Sequence, residues 1–458
     1  GETLLLSGKD NKSASQPNNL RRLIDWHDAI EERVAEIRTA ELSKAVEEME
    51  VVTEAEGAAK PMEVLPSTFT NDAARSYAAG RGQLQVVCDK THFAEVYEAS
   101  VLTLENLTPH QRDALSEVQQ HEHVLLEAPA GGGKTFVALA LILEILLRDD
   151  GNGRYCEGSC VVFACWSAPL CFFVCRWICK RVPNAAERTR ALSRLFVLFE
   201  PFDDGPRAVT LERGDGPGGG LRLVCVPTTP TLPIELLVVD ESHHVYADTS
   251  LRRAVEDLVQ PSHHTRRLLL ADISQSAGSS IPFPRECERV RLTEVVRCSK
   301  RIIAGAMAFQ LGGEQKLLTR CHHESTGPPL KSFLFDMEAD RYGSIAACYA
   351  HHVCEAIKHV KESYAGLALH DRLAILCPSS DFATTLHEPL LTALSEAFPS
   401  WTVNLISAAE ASASIGTALD HTSEPTDGDA GCESLVLDAI DQFDGLERLI
   451  FIGVGLDQ

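Results

Sequence analysis

Residues 124–135 read Val-Leu-Leu-Glu-Ala-Pro-Ala-Gly-Gly-Gly-Lys-Thr, an apolar run that passes into a glycine-rich turn and ends in Lys134 and Thr135. The helical run Phe136 to Leu147 follows directly. A strand, a glycine-rich loop and a helix in this order are the context of a phosphate-binding loop. Successive backbone N–H groups in such a loop converge on phosphate oxygens, and the positive end of the helix favours the same anion. The sequence therefore predicts an α/β domain that holds a nucleotide phosphate.

Each position of this loop has an expected task. Lys134 is expected to reach the β- and γ-phosphate oxygens of ATP, and the Thr135 hydroxyl to ligate Mg²⁺. Gly131, Gly132 and Gly133 are expected to bring their backbone to the phosphates, while Ala128 replaces the first glycine of the motif with another small residue. A chance glycine-rich turn is the alternative, and the strand, the helix and the Lys-Thr pair in register disfavour it.

A second apolar run, Leu236 to Val239, ends in Asp240 and Glu241. Acids at the carboxyl end of a parallel strand lie where open α/β sheets bind ligands. Asp240 can hold Mg²⁺, and Glu241 can orient and deprotonate an attacking water, so the pair predicts hydrolysis as well as binding. The alternative is a solvated strand end.

Two further signals are weaker. Gln111, in Thr108-Pro109-His110-Gln111, could pair with adenine, although a Thr-Pro start of a helix is mostly structural. Asp272-Ile273-Ser274-Gln275 follows the apolar run Leu268 to Ala271, so Gln275 could sense the γ-phosphate, and a helix cap at Asp272 is the other interpretation.

Strand-like runs alternate with helical runs after about residue 100, which is typical of parallel sheets covered on both faces. The first set of predicted strands is Val124–Glu127, Cys160–Cys165, Leu221–Val226, Glu235–Val239 and Arg267–Ala271. The second set is Lys331–Asp336, Arg372–Cys377, Thr402–Ile406, Ser434–Leu437 and Leu449–Val454. Two sets predict two sheets. Long surface loops are predicted at 201–220 and 417–431 because both stretches are rich in loop-forming residues.

Six pieces taken in order resemble the superfamily 1 helicases and translocases. They are Gln111, Ala128 to Thr135, Asp240-Glu241, Asp272 to Gln275, Arg297, and Gly445-Leu446-Glu447. The resemblance covers about residues 104–458 and implies two RecA-like P-loop NTPase domains with parallel sheets, which bind ATP and Mg²⁺ at their interface. With it we expect a flexible arm at 1–19, a helical N-terminal accessory region at 20–103, one RecA-like domain at 104–290 and a second at 291–458.

The resemblance also implies roles for single residues. Gln111 would read adenine, and Gln275 would couple the γ-phosphate to the nucleic-acid track. Arg297 would be an arginine finger acting from the second domain. Gly445 and Glu447 would belong to a segment that links ATP to the bound strand, and the Asp-x-Phe-x-Gly-x-Glu spacing of residues 441–447 is similar to Schlafen-type and Upf-type proteins.

The chain also departs from this family. Members carry a further arginine motif after the last strand, whereas this sequence starts at Gly1 and stops at Gln458, so we expect a fragment. Asp240-Glu241-Ser242-His243 would equally suit the DExH branch of superfamily 2. Superfamily 1 is preferred because no Ser-Ala-Thr tripeptide follows and Asp272 to Gln275 does.

The charge limits where nucleic acid could bind. The 458 residues carry 42 Lys and Arg against 65 Asp and Glu, a net charge of −23, so the average surface repels phosphates. The one strong basic run is 176–194, with six basic residues and Glu187, and it fits a solvated helix face as well as a phosphate track. Trp166-Ser167 follows a predicted β-strand, at the position where the family resemblance implies a contact with single-stranded nucleic acid.

The cysteines and the uncharged stretch bear on the cellular compartment. The 15 cysteines contain no CxxC pair and no signal segment precedes them, which favours reduced thiols in the cytoplasm or nucleus. Cys171, Cys175 and Cys179 are expected to be helical core residues. The uncharged stretch 158–175 fits a strand, a turn and a buried helix better than a membrane span.

Two functions of different classes are therefore open. The first is an ATP-dependent helicase or translocase acting on single-stranded RNA or DNA. The second is an ATP-binding switch or scaffold with weak or no helicase activity, in which the amphipathic run Leu20 to Val52 engages a protein partner.

Overall fold

The computed structural model describes residues 2–9, 91, 94, 107–148, 158–213, 220–259, 264–272, 281–296, 298, 301–303, 320–321, 331–337, 339–416 and 432–456. Within these ranges the chain forms a nine-stranded sheet, a six-stranded sheet and a pair of short strands. The predicted α/β class with two sheets rich in parallel strands is confirmed. The predicted helix over 20–52 and the predicted loop over 417–431 lie outside the described residues.

The first sheet positions the phosphate loop. Its strands, in chain order, are β2 (His123–Glu127), β3 (Cys160–Ala164), β4 (Leu195–Leu198), β5 (Arg207–Arg213), β6 (Leu221–Pro227), β7 (Ile234–Val239), β8 (Arg266–Ala271), β9 (Glu288–Arg291) and β15 (Ser414–Gly416). Their spatial order is β15-β6-β5-β4-β3-β7-β8-β2-β9. Six neighbouring strands in this order are parallel, namely β4, β3, β7, β8, β2 and β9. The loops after β2, β7 and β8 therefore emerge at one edge of the sheet.

The second sheet is parallel throughout. It contains β1 (Glu2–Lys9), β12 (Lys331–Asp336), β13 (Leu373–Cys377), β14 (Thr402–Ile406), β16 (Cys432–Ala439) and β17 (Ile450–Val454), in the order β12-β1-β17-β13-β16-β14. The short strands β10 (Glu294–Val295) and β11 (Arg320–Cys321) pair separately.

Helices cover the sheets on both faces. Those of the first part are α1 (Pro109–Gln119), α2 (Lys134–Leu147), α3 (Ala168–Arg181), α4 (Ala185–Ser193), α5 (Ser242–Ala247) and α6 (Thr249–Glu256). Those of the second part are α7 (Ala339–Tyr342), α8 (Ile345–Ser363), α9 (Ser380–Ala397) and α10 (Ala408–Ala413). Helix α2 is apolar except for Lys134, Thr135 and the exposed Glu144, and ten of its 14 residues are buried, as expected of a central helix. No helix within the described ranges is long and apolar enough to cross a membrane.

Two predictions about loops were wrong. The arm expected at 1–19 contains β1, which pairs in parallel with β12 and β17, because Thr3-Leu4-Leu5-Leu6 is an apolar run of strand length. The loop expected at 201–220 contains β5, which forms an antiparallel pair with β6. Arg207 and Val209 are buried and Thr210 is exposed, which is the two-residue period of a strand. The Asp, Gly and Pro residues around this segment favoured the prediction of a loop.

The two sheets also exchange contacts. Strand β15, which follows the second-sheet strand β14 in the chain, adds antiparallel to β6 at the edge of the first sheet. Arg176 of α3 pairs with Asp371 next to β13 and donates to the carbonyl of Ala411 in α10. Arg448 approaches the same carboxylate, with Nη2 3.1 Å from Asp371 Oδ1. These contacts bring the loop before β17 close to the phosphate loop.

Candidate functional site

The phosphate loop joins β2 to α2 and depends on two glycines with left-handed backbone. Gly131 has φ +75° and Gly133 has φ +86°, conformations that other residues adopt only with strain. The Gly132 N–H donates to the carbonyl of Pro129 at 3.1 Å, which tightens the turn. Ala128 lies beneath the loop, 1% exposed, and its N–H donates to Ala271 of β8. The loop is therefore attached to two neighbouring strands, β2 and β8, and ends at the N-terminus of α2.

Lys134 is the first residue of α2 and is buried among carboxylates. Burial acts to lower its pKa, but the nearby charges of Glu241 and Asp272, with Asp240, outweigh burial and raise the pKa above its ordinary 10.5. The side chain is therefore an ammonium at neutral pH. Such a fixed cation at a helix N-terminus is suited to the charge of a triphosphate.

Thr135 and Asp240 meet directly. The Thr135 hydroxyl donates to Asp240 Oδ2 at 2.8 Å, and the second oxygen, Oδ1, accepts from the Glu241 N–H at 2.9 Å. A hydroxyl and a carboxylate at this separation are oxygen ligands of the kind that Mg²⁺ takes next to nucleotide phosphates. These residues fit the expected metal.

Glu241 is held in an unusual state. Its backbone has φ 46° and ψ 42°, which is rare for a residue with a long side chain, and its side chain is buried. Burial, reinforced by the charge of Asp240 and opposed by Lys134, raises its pKa to about 8. Oε2 receives no hydrogen bond from any described residue. A buried, basic, unsatisfied carboxylate oxygen is suited to accept a proton from water.

His243 lies next to Glu241 and has a predicted role only in the DExH alternative. Its ring is 3% exposed, and Nδ1 lies 3.4 Å from Glu241 Oε2 and accepts from the Asp272 N–H at 3.4 Å. Burial, with the neighbouring His244, lowers its pKa to about 4, so the ring is neutral at physiological pH. The signal in the sequence is its position two residues after Glu241, on the first turn of α5.

The first lobe is the part of the chain built on the first sheet, and the second lobe is the part built on the second sheet. Residues of the second lobe face the phosphate loop. A cavity of about 120 Å³ is lined from the first sheet by the phosphate loop with Lys134 and Thr135, by Glu241 and by Asp272. Asp444, Gly445, Leu446 and Glu447 line it from the segment before β17. Gly445 and Glu447, expected near the nucleotide, are thus brought to the same cavity as Lys134.

Gln111 lies beside the loop rather than in this cavity. It is 1% exposed, its Oε1 accepts from the Thr108 N–H at 3.0 Å, and its Nε2 donates to the Gly132 carbonyl at 3.2 Å. Its expected role as an adenine reader stays a prediction. Gln275 and Arg297, the remaining two predicted residues, lie outside the described residues. The described neighbours Val295 and Cys298 both approach Gly131.

A second cavity, of about 480 Å³, lies where the two lobes meet. Three aromatic side chains line it, Trp166, Phe443 and Phe451, together with Leu376, Ile440, His244, Asp441 and Asp444. His244 Nε2 lies 3.1 Å from Asp444 Oδ2, and Asp444 also lines the cavity beside Lys134. No lysine or arginine lines this second cavity within the described part of the chain. Its described lining offers aromatic surface for stacking and no fixed cation for a phosphate.

Half of the basic residues in the run 176–194 are engaged inside the protein. Arg188 and Arg194 are buried, at 7% and 2% exposure, and Arg176 pairs with Asp371. Arg194 donates to the carbonyls of Ser159 and Leu146 at 2.7 and 3.1 Å. The phosphate track that this run could have formed therefore loses three of its six cations to internal contacts.

The cysteines of α3 lie in the core. Cys171, Cys175 and Cys179 are all 0% exposed, and burial raises the pKa of each thiol, to about 12 for Cys179. Within the described part of the chain, no group of three or more His, Cys, Asp or Glu side chains is placed to hold a metal ion. These thiols pack as small apolar side chains.

Comparison with known proteins finds only distant structural similarity. No protein-family model matches the chain, and no curated protein matches it significantly. The chain is similar to the HK97 bacteriophage large terminase, at 15% identity and a TM-score of 0.24 over 42% of this chain and 39% of that one. It is similar to the DUF1998 helicase MrfA bound to DNA, at 10% identity and a TM-score of 0.31 over 79% and 50%. The Sulfolobus solfataricus SWI2/SNF2 ATPase core in complex with double-stranded DNA gives 10% identity and a TM-score of 0.26 over 76% and 87%. The chain thus spans half or less of the first two of these proteins.

Proposed function

We propose that this protein is an ATPase of the superfamily 1 helicase or translocase type, which hydrolyses ATP between two RecA-like lobes to move on single-stranded RNA or DNA. The observation that carries the proposal is the cavity in which Lys134, Thr135 and Glu241 of the first lobe face Gly445 and Glu447 of the second. A nucleotide bound there would touch both lobes, so its binding and release would change how they fit together.

In this proposal, the residues divide the chemistry among them. The N–H groups of the loop and the Lys134 ammonium bind the phosphates, while the Thr135 hydroxyl and the Asp240 carboxylate hold Mg²⁺. The metal, when bound, supplies positive charge to the β- and γ-phosphates. Glu241 accepts the proton of the attacking water, and its raised pKa makes it a stronger base than an exposed carboxylate.

The roles of Gln275 and Arg297 are proposed from motif order alone. Gln275 would sense the γ-phosphate, and Arg297 would place a guanidinium on the charge that develops there. Trp166 is proposed as a stacking platform for a base, since its ring lines the aromatic cavity between the lobes.

The test is steady-state ATP hydrolysis with and without single-stranded RNA and DNA oligonucleotides. We expect hydrolysis that single strands accelerate, loss of nucleotide binding in Lys134→Ala, and binding without turnover in Glu241→Gln. A wild-type protein that neither hydrolyses ATP nor responds to single strands would contradict the proposal.

A second function, a nucleotide-dependent switch that acts through a protein partner, is favoured by one observation. Arg176, Arg188 and Arg194 are engaged within the fold, so half of the one strong basic run is not available to bind phosphates on a chain whose net charge is −23. This candidate would be abandoned if single strands raised turnover about tenfold or more at roughly 150 mM salt, where weak phosphate contacts are screened.

A further inference from the structure

Both polar atoms of the Gln111 side-chain amide make hydrogen bonds inside the protein. Thr108 and Gln111 form a reciprocal cap at the start of α1: the Gln111 N–H donates to Thr108 Oγ1 at 3.2 Å, and Gln111 Oε1 accepts from the Thr108 N–H at 3.0 Å. The nitrogen, Nε2, then donates to the carbonyl of Gly132 in the phosphate loop at 3.2 Å. One side chain thus ties the start of α1 to the phosphate loop.

These contacts fix which way the amide points. Turning it over would place an NH₂ group against the Thr108 N–H and an oxygen against the Gly132 carbonyl, so both contacts would become repulsive. Reading adenine needs the amide oxygen and nitrogen together, one accepting and one donating. At 1% exposure, neither atom can reach a base unless the cap and the loop contact are broken.

The neighbouring glycine shows how closely the amide is packed. A Cβ at Gly133 would lie 2.1 Å from Gln111 Nε2, closer than any real contact. Gly133 is the N-cap of α2, and its carbonyl accepts from the Phe136 and Val137 N–H groups at 3.1 and 3.2 Å. The Gln111 amide therefore lies against the point at which the loop turns into the helix that carries Lys134 and Thr135.

The cavity beside Lys134 provides no other base-reading group within the described residues. Its lining consists of the loop, the acids Glu241 and Asp272, and residues 444–447. Neither an aromatic ring nor a side-chain amide is among them. Its described recognition groups are suited to phosphates and metal, the parts that all nucleoside triphosphates share.

We propose that Gln111 is a positioning residue that holds Gly132 and Gly133 in their phosphate-binding conformation, and that the site takes nucleoside triphosphates with little regard to the base. This inference rests on the proposed triphosphate chemistry of the site. It departs from the adenine-reading role that the family resemblance implies for Gln111.

The variant Gln111→Glu separates the two roles. A glutamate keeps the cap, because its oxygen still accepts from the Thr108 N–H. It cannot donate to the Gly132 carbonyl and sets a carboxylate against it. Thr108→Ala is the matched control, since it removes the cap hydroxyl and leaves the contact between Gln111 and Gly132.

The measurement is equilibrium binding of Mg²⁺ complexes of ATP, GTP, CTP and UTP, and of inorganic tripolyphosphate, to the full chain. Wild type should bind the four nucleotides within about fivefold, whereas hydrogen-bond readout of one base gives far larger ratios. Gln111→Glu should weaken all of them, and tripolyphosphate equally, by about tenfold or more, the scale of losing one hydrogen bond and gaining a repulsion. Thr108→Ala should change binding by less than about threefold.

Tripolyphosphate makes the result decisive because it has no base to be read. Base tolerance is overturned if wild type prefers ATP by about a hundredfold, and the positioning role is overturned if Gln111→Glu leaves the binding of tripolyphosphate as before. The proposal is equally overturned if no triphosphate binds. Base-tolerant binding without hydrolysis would instead contradict the proposed ATPase function and leave the role of Gln111 standing.

Discussion

The Thr135 hydroxyl donates a hydrogen bond of 2.8 Å to Asp240 Oδ2, joining residues that lie 105 positions apart in the sequence. Thr135 is the second residue of the helix after β2, and Asp240 directly follows β7, with β8 lying between these two strands in the sheet. The parallel arrangement brings both strand ends to one edge and so assembles an oxygen pair suited to Mg²⁺.

Replacing Thr135 by Ser should preserve this pair, whereas Thr135→Val should remove it. Valine has nearly the shape of threonine but no hydroxyl, so the packing of α2 is kept and one expected metal ligand is lost. We expect Thr135→Val to raise the Mg²⁺ concentration that gives half-maximal ATP hydrolysis by about tenfold or more, because losses in metal sites commonly lower metal affinity by that much. Titration of hydrolysis with Mg²⁺ measures this, and equal Mg²⁺ requirements in the Ser and Val variants would rule out the metal role.

The pKa of Glu241 predicts how activity depends on pH. The base must be ionised, and burial raises its pKa to about 8, so it is mostly protonated at pH 7. We expect kcat/KM for ATP to rise with pH and to level off above about 8, since kcat/KM reports the free enzyme. A profile flat between pH 6 and 9 would show that proton uptake by this carboxyl does not control turnover.

The same carboxyl should affect stability in the opposite direction. Because its folded pKa lies above the ordinary 4.5, its contribution to stability is fully present below pH 4.5 and is lost as pH rises through about 8. Glutamine resembles the neutral carboxyl, so Glu241→Gln should gain stability over wild type as pH increases from 6 to 9 without Mg²⁺. The gain should be roughly 1–3 kcal/mol, given about 1.4 kcal/mol per pKa unit.

Urea unfolding at several pH values measures this difference. Glu388→Gln is the control, because that side chain is 84% exposed and the substitution makes the same change of side chain at the surface. If Glu241→Gln is no more stable than wild type at pH 9, the burial of a carboxylate at this position costs little.

The phosphate loop and the acids after β7 could be predicted because each is a local pattern: an apolar strand followed at once by chemistry at its end. The role of Arg194 could not, since its carbonyl partners Leu146 and Ser159 are distant in sequence and become neighbours only when β3 and β4 pair. The contact of Gln111 with Gly132 escaped prediction for the same reason, because it depends on how α1 packs beside the loop.

Arg194 should therefore matter for folding more than for binding. Truncating it to alanine would remove a buried guanidinium and leave the carbonyls of Leu146 and Ser159 without these donors. The expected loss of unfolding free energy is about 2–4 kcal/mol, as for other buried polar networks. Lys180→Ala, which changes an exposed residue of the same run, should cost less than about 0.5 kcal/mol. Equal stability of the two variants would mean that Arg194 is dispensable to the core.

Gly445 offers a test of the contact between the lobes. It has φ +76°, and a Cβ there would lie 2.7 Å from Leu170 Cδ2 on α3 of the first lobe. Gly366 has φ +85° with nothing within 4 Å of such a Cβ, so Gly366→Ala adds backbone strain of about 1 kcal/mol and no clash. Gly445→Ala adds a similar strain and also sets a methyl group against Leu170, so residues 444–447, which line the cavity beside Lys134, have to shift.

We expect Gly366→Ala to lower stability slightly and leave ATP hydrolysis unchanged, while Gly445→Ala lowers kcat/KM by about tenfold or more, because misplacing groups by a fraction of an ångström is costly in catalysis. Adding Leu170→Ala to Gly445→Ala should recover much of that loss, since it removes the atoms that the new methyl group meets. If the double variant is no more active than Gly445→Ala alone, the contact with Leu170 does not set the position of the second lobe.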